Sequence, residues 1–104
     1  MFEFFTKKIR FAVRSPEWKD VRKLHLQEQN QCQACGKKSS LEVHHILPVH
    51  IDPILELEPS NLLTLCDRCH FVFGHLSDYK SWNIDVVTDC ETYLKKTTSR
   101  PYKN

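Results

Sequence analysis

The sequence is organised around two cysteine pairs, Cys32-Gln33-Ala34-Cys35-Gly36 and Cys66-Asp67-Arg68-Cys69, with 30 residues between Cys35 and Cys66. A Cys-x-x-Cys turn brings two sulfur atoms to one ion, and Gly36 suits the tight turn after the first pair. Two such pairs complete the tetrahedral thiolate shell that zinc prefers. We therefore predict a closed, structural zinc site at Cys32, Cys35, Cys66 and Cys69.

Composition favours a metal over disulfides as the partner of these thiols. The chain has 104 residues, five cysteines and six histidines. It contains no apolar run approaching the roughly 18–20 residues that cross a bilayer, and its N-terminus does not have the order of a secretory signal. We therefore expect a soluble, cytoplasmic protein without a membrane partner, where disulfides are disfavoured. Two disulfides, scattered buried thiols or a redox site are the alternatives, and Cys90 is expected to be an ordinary small side chain.

The sequence is typical of one small globular domain. Hydrophobic residues make up 40% and charged residues 27% of the chain, which excludes disorder throughout. Apolar spacing and helix-start signals predict a strand over 9–13, a helix over 15–29, a strand over 41–46, a helix over 67–77 and a last helix over 89–96. We expect a single domain over 1–104, with an N-terminal strand and helix (1–31), a zinc-stapled core (32–76) and a C-terminal extension (77–104).

Histidines lie between and beside the cysteine pairs, in Glu42-Val43-His44-His45-Ile46-Leu47-Pro48 and in the stretch from Asn61 to His70. In order and spacing, these residues and the two cysteine pairs resemble the zinc-stapled branch of the HNH endonuclease family over about residues 32–76. The resemblance implies a small α+β fold with a ββα-metal (His-Me finger) core. It also implies that the protein cuts DNA as a metal-dependent endonuclease or nickase.

The resemblance also implies a role for each matching residue. His44 and His70 look like ligands of a catalytic divalent metal, and His45 looks like the general base that activates water. Asn61 resembles the family asparagine that either orients the base or reaches the metal. His75 is a further candidate ligand if the helix ends by Gly74. Histidine in place of the more common aspartate at position 44 makes the site nitrogen-rich, which favours Zn²⁺, Ni²⁺, Co²⁺ or Mn²⁺ over Mg²⁺.

Charge is distributed unevenly along the chain, with a net charge of +5 over residues 1–40 and −7 over residues 41–94. Basic segments of this kind suit contacts with DNA phosphates. The candidate DNA-binding residues are Arg10, Arg14, Lys19, Arg22, Lys23, Lys37, Lys38 and Arg68. A solvated surface explains the same charges, and a non-catalytic zinc module that binds DNA or protein is the rival function. The sequence leaves open a monomer or a homodimer.

Overall fold

The structure is a computed structural model, and it describes residues 15–99 of the chain. Its helices and strands are α1 (Trp18–Glu28), β1 (Leu41–His45), β2 (Leu62–Cys66), α2 (Asp67–Cys69), a π-turn (His70–Gly74) that continues α2, and α3 (Val86–Ser99). Short 3₁₀ turns occupy Pro53–Leu55 and Pro59–Asn61. The protein therefore has the small α+β fold predicted from the sequence, and its two strands and following helix are consistent with a ββα-metal core.

Within residues 15–99 the sheet consists of β1 and β2, which pair antiparallel. Leu41 lies opposite Cys66, and His45 lies opposite Leu62. Every residue of β2 is buried. Because side chains alternate along a strand, Glu42 and His44 lie on one face of the sheet, whereas His45 lies on the other. The adjacent histidines are thus directed to different surroundings.

Helix α1 begins close to the predicted start. The carbonyl of Ser15 accepts a hydrogen bond from the Trp18 amide at 3.0 Å, and the Ser15 hydroxyl accepts one from the Glu17 amide at 3.2 Å. At the other end, Oε1 of Gln29 accepts a hydrogen bond from the Thr64 amide at 2.6 Å. Gln29 thereby satisfies a backbone donor of β2 and attaches α1 to the sheet.

The segment after β2 differs from the single helix predicted over 67–77. Only Asp67–Cys69 is α-helical, and His70–Gly74 forms a π-turn in which the hydrogen-bonded spacing is five residues. His75 follows outside the helix, with φ of −117°. The π-turn is therefore shorter than the predicted helix and ends at Gly74, which is the condition under which His75 was expected to join the site.

Helix α3 is longer than the predicted 89–96, because it begins at Val86 and ends at Ser99. Val86 and Cys90 are buried in the core with Leu63 and Leu65 of the sheet. Asn83, just before α3, donates from Nδ2 to the Phe73 carbonyl at 3.0 Å. This bond attaches the start of α3 to the π-turn.

Some predicted features lie outside the described residues. They are the strand over 9–13 and the candidate DNA-binding residues Arg10 and Arg14. In the part of the chain that is described, no helix combines the length and apolar character needed to cross a membrane.

Candidate metal centres and active site

The first centre contains the four cysteines that the sequence predicted. One ligand atom from each of Cys32, Cys35, Cys66 and Cys69 lies within 4.8 Å of the others. Cys35 is exposed, whereas the other three are buried. The sulfur atoms of Cys35 and Cys66 are 3.8 Å apart. The cluster therefore fits a tetrahedral zinc site.

Backbone amides point at the sulfur atoms of this cluster. Sγ of Cys32 accepts hydrogen bonds from the amides of Ala34 and Cys35, each at 3.4 Å, and Sγ of Cys66 accepts one from the amide of Cys69 at 3.5 Å. Burial raises the pKa of Cys32, but the backbone donors outweigh burial and lower this pKa to about 7. Hydrogen bonds of this kind stabilise the thiolate, which is the form that binds a metal.

Gly36 and Cys90 have the structural roles that the sequence predicted for them. Gly36 has φ of +81°, so the turn after the first cysteine pair uses a left-handed backbone conformation that glycine adopts without strain. Cys90 is not among the four clustered sulfur ligands, and burial raises its pKa to about 12. Cys90 is therefore a neutral thiol of the core.

The second centre consists of His44, His70 and His75. One ring nitrogen from each lies within 4.8 Å of the others. The Nε2 atoms of His70 and His75 are 3.3 Å apart, and the ring centroids of the three histidines are 4.9–5.1 Å apart. Nε2 of His44 is buried and has no hydrogen-bond partner among residues 15–99. An unpaired buried nitrogen is costly unless an additional group satisfies it.

Two oxygen atoms orient the rings of His70 and His75. Oε1 of Glu42 accepts a hydrogen bond from Nδ1 of His70 at 2.6 Å, and the Ser81 carbonyl accepts one from Nδ1 of His75 at 2.8 Å. In the neutral rings, the lone pairs are then on the two Nε2 atoms. A cation near both atoms removes the repulsion between these lone pairs, and an oxygen acceptor on the second ring nitrogen is the usual support of a metal-bound histidine.

The His44 imidazole is uncharged near pH 7. It is 2% exposed, and its pKa is lowered to about 3 by burial and by the neighbouring imidazoles of His70 and His75. Gly74 makes room for it, because a Cβ atom at that position would lie 2.9 Å from Cε1 of the His44 ring. Neutral imidazole is the form that binds metal, so three convergent imidazoles fit a divalent transition metal.

His45 directly follows His44 in the chain but has different contacts. Its Nε2 donates a hydrogen bond to the Glu56 carbonyl at 2.9 Å, because a carbonyl can only accept. Its ring centroid is 4.7 Å from that of Trp18. His45 also belongs to the groups whose charge lowers the pKa of His44, which reflects how close the two imidazoles are. In the neutral ring of His45 the lone pair is therefore on Nδ1.

Asn61 fastens the proline-containing loop that follows His45. Its Oδ1 accepts a hydrogen bond from the Leu47 amide at 2.9 Å. Its Nδ2 donates to the carbonyls of Leu47 at 3.0 Å and Leu55 at 3.2 Å. Leu55 directly precedes Glu56, whose carbonyl holds His45. The side chain of Asn61 is thus engaged with the loop that supports His45.

The structure brings some of the predicted residues together and leaves others on the surface. His44 and His70 meet, and His75 joins them. His25 instead contacts Gln29, with 3.1 Å between Nε2 and Oε1, and His50 is exposed. The described candidates for DNA binding all have exposed side chains, and they are Lys19, Arg22, Lys23, Lys37, Lys38 and Arg68.

Sequence reasoning missed the groups that hold the histidines. Glu42 could have been found, since it is two positions before His44 and shares its face of a strand. The carbonyls of Glu56 and Ser81 carry no sequence signal, because every residue has a backbone carbonyl. The contact of Trp18 with His45 joins residues that are distant in sequence and also had no local signal.

The comparison with protein families agrees with this geometry. Residues 32–71 match the family model described as HNH endonuclease. A search of curated proteins and a search of solved structures each returned no match. The match confirms the family resemblance of this segment and indicates a nuclease or another nucleic-acid-related function. It includes the four cysteines, His44, His45, Asn61 and His70, and it ends before His75.

Proposed function

We propose that this protein is a metal-dependent DNA endonuclease or nickase that hydrolyses phosphodiester bonds. The observation that carries the proposal is the convergence of His44, His70 and His75, with a buried Nε2 of His44 that has no hydrogen-bond partner among residues 15–99. A structural zinc site alone does not account for a second group of three imidazoles. The family match at residues 32–71 supports the same reading.

His44, His70 and His75 would hold the catalytic divalent ion, which is Mg²⁺, Mn²⁺, Ni²⁺, Co²⁺ or Zn²⁺. When bound, such an ion supplies Lewis-acid stabilisation of the phosphoryl oxygens and of the leaving oxygen. Glu42 and the Ser81 carbonyl hold two of the imidazoles in the orientation that directs Nε2 toward the shared space. Cys32, Cys35, Cys66 and Cys69 would hold a separate structural zinc.

His45 is the proposed general base. The Glu56 carbonyl accepts a hydrogen bond from Nε2 and orients the ring, and the imidazole would take a proton from the attacking water. A positioned base contributes roughly 10²–10⁴-fold to a reaction rate. Trp18 packs against the ring and limits its rotation. His45 directly follows the proposed ligand His44 in the chain, at the end of β1.

Asn61 is proposed as a positioning residue for this base. It makes three hydrogen bonds to Leu47 and Leu55, at the two ends of the loop 47–55. The loop leads directly into Glu56, which bonds to His45. Of the two roles that the family resemblance leaves open for Asn61, these contacts favour orientation of the base over binding of the metal.

DNA is the proposed substrate, and exposed basic side chains are its proposed phosphate contacts. The exposed ones are Lys19, Arg22, Lys23, Lys37, Lys38 and Arg68. Arg10 and Arg14, which lie outside the described residues, are further candidates. Phosphate contacts of this kind weaken as salt concentration rises. The affinity for DNA should therefore fall steeply with ionic strength. A single ββα site hydrolyses one strand per encounter, so cleavage of both strands would need a homodimer or two successive encounters.

The test is a supercoiled-plasmid assay with zinc-loaded protein, with and without added divalent metal. Conversion of the supercoiled plasmid to nicked or linear DNA should require the metal. His45→Ala should lower the rate by roughly 10²–10⁴-fold and leave the circular dichroism spectrum unchanged. His50→Ala is the matched control, because His50 is exposed on the loop, and it should cut normally.

Two results would contradict the proposal. Plasmid binding without any cleavage, at every metal tested, would favour the non-catalytic zinc module instead. Full activity of His45→Ala would exclude His45 as the general base. The mass of the protein in solution, measured on the same sample, separates a monomer from a homodimer.

A further inference from the structure

An exposed aromatic ring lies next to the histidine centre. The Tyr79 ring centroid is 5.1 Å from that of His75 and 4.7 Å from that of Phe71. Tyr79 is nevertheless 65% exposed, so most of its surface faces solvent. A large aromatic side chain normally contributes to the core by burial. Tyr79 therefore adds little buried area to the core, although its ring contacts His75 of the candidate active site.

The backbone before Tyr79 is strained. Leu76 and Ser77 have φ of 55° and 63°, a left-handed conformation that non-glycine residues rarely adopt. Hydrogen bonds hold the turn in place, from the Ser77 amide to the Phe71 carbonyl and from the Asp78 amide to the His75 carbonyl, each at 2.9 Å. Strain of this kind persists where surrounding contacts determine the conformation, and it is concentrated at functional sites.

Burial of side chains does not explain why the turn adopts this conformation. Leu76 is 55% exposed, and both Tyr79 and the following Lys80 are exposed. The conformation of the turn positions two groups against His75. It directs the Ser81 carbonyl to His75 and sets the Tyr79 ring against the same imidazole. The result is an accessible flat ring, followed by a cation, at the edge of the centre where the phosphodiester would be cut.

We infer that Tyr79 stacks on the base of an unpaired nucleotide next to the scissile phosphate, so that the site prefers single-stranded or locally unpaired DNA to intact duplex. The inference rests on the proposed function and names its substrate class. Within a duplex, neighbouring bases cover both faces of each base, and none is available to Tyr79. In a single strand those faces are accessible, and aromatic side chains bind them with little dependence on sequence.

Lys80 suits the same substrate. Its exposed ammonium group can contact the phosphate of the nucleotide whose base stacks on Tyr79. Aromatic rings combined with neighbouring cations are the usual composition of surfaces that bind single strands. Stacking on Tyr79 would also restrict the position of the adjacent phosphate relative to His75.

The test compares one DNA oligonucleotide in three forms: single-stranded, fully paired, and paired with a central unpaired bubble. A 2-aminopurine base, which loses fluorescence when it stacks, is placed beside the cleavage position. Binding is measured without added divalent metal, and cleavage is measured with it. The proteins are wild type, Tyr79→Ala, Tyr79→Phe and Ile84→Ala, the last being a control at an apolar residue of similar exposure.

We expect tighter binding and faster cutting of the single strand and the bubble than of the duplex. Tyr79→Ala should weaken single-strand binding by roughly 5- to 150-fold, corresponding to about 1–3 kcal/mol per stacked base, and should abolish the 2-aminopurine quenching. Tyr79→Phe and Ile84→Ala should behave like wild type.

Different outcomes overturn the two proposals separately. Cleavage that prefers duplex, or that is unchanged in Tyr79→Ala, would overturn the stacking inference while the nuclease assignment stands. Absence of cleavage with every substrate, combined with quenching that depends on Tyr79, would overturn the nuclease assignment and leave single-strand binding in place.

Discussion

The Nε2 atoms of His70 and His75 lie 3.3 Å apart, although five positions separate the two residues along the chain. In an α-helix, side chains on one face are three or four residues apart. The π-turn at His70–Gly74 changes that spacing to five, and it therefore brings His75 over His70. Local π-helical geometry is often found at functional sites, and here it adds a third imidazole to the candidate metal centre.

His75 should be required for metal binding at this centre. In zinc-loaded protein, His75→Ala should weaken the binding of added Co²⁺ at least as strongly as loss of a residue that hydrogen-bonds to a metal ligand, which costs about 10–100-fold. Titration followed by the visible absorption of Co²⁺ measures the effect. His50→Ala removes an exposed histidine and should bind like wild type. Equal affinity of His75→Ala and wild type would exclude His75 as a ligand.

Glu42 should tune the same centre without contacting the metal. Its carboxylate accepts a hydrogen bond from Nδ1 of His70 at 2.6 Å, which fixes the tautomer and the orientation of that ring. Glu42→Ala should lower the affinity for Co²⁺ by about 10–100-fold, and Glu42→Gln, which keeps a neutral acceptor, by less. The zinc content at the cysteines should not change. Glu91→Gln, an exposed acid on α3, is the control and should have no effect.

His44 should make stability depend on pH when the histidine centre holds no metal. Its pKa is 6.5 in the unfolded reference and about 3 in the folded protein, because burial and nearby imidazoles disfavour the charge. Below the unfolded pKa, the unfolded chain therefore binds a proton that the folded protein excludes. The unfolding free energy should decrease as pH falls through this window, by about 1.4 kcal/mol per pH unit from this group.

Denaturant unfolding at about pH 6 and about pH 4 measures this dependence. His44→Gln cannot bind the proton, so its stability should fall less than that of wild type over the same interval. The comparison uses the part of this interval in which both proteins keep one zinc per chain, because zinc binding at the cysteines is needed for folding. An identical decrease in both proteins would show that His44 does not titrate differently in the two states.

The cysteine cluster should determine whether the protein folds. Cys66→Ser removes one of four ligands, and binding of structural zinc supplies about 10–16 kcal/mol, as much as the whole stability of a small domain. This variant should lose zinc and the cooperative thermal transition. Cys90→Ala should keep one zinc per chain, measured by elemental analysis, and should unfold cooperatively. Retention of zinc by Cys66→Ser would contradict the assigned ligand set.

Much of the site could be predicted because its signals are local. The Cys-x-x-Cys turns have nearly the same geometry wherever they occur, so the spacing alone predicted four sulfur atoms around one ion, and the structure clusters them. Alternation along a strand explains why His44 and His45 face different surroundings. The family resemblance implied that His44 meets His70, which lies beyond the loop and the second strand, and the structure brings the two rings together.

The sequence predicted the structure less well where a segment's hydrogen bonds or packing partners lie far away along the chain. A π-turn differs from an α-helix by one residue in the spacing of its hydrogen bonds, and the apolar pattern of His70–Gly74 does not distinguish them. Helix α3 begins before the predicted residue because packing of Val86 in the core extends it. Only the fold shows that the ring of Tyr79 is exposed beside His75.

Sequence by itself determined which atoms are available for chemistry: four thiols at turn spacing, adjacent imidazoles on a strand, and an asparagine and a histidine near the second cysteine pair. Tertiary structure decided which partner each atom has. Glu42 reaches His70, Asn61 closes a loop onto Leu47 and Leu55, and Nε2 of His44 is left buried. The physical reason is that ligand type and turn geometry depend on neighbouring residues, whereas burial and hydrogen-bond partners depend on segments that meet only after folding.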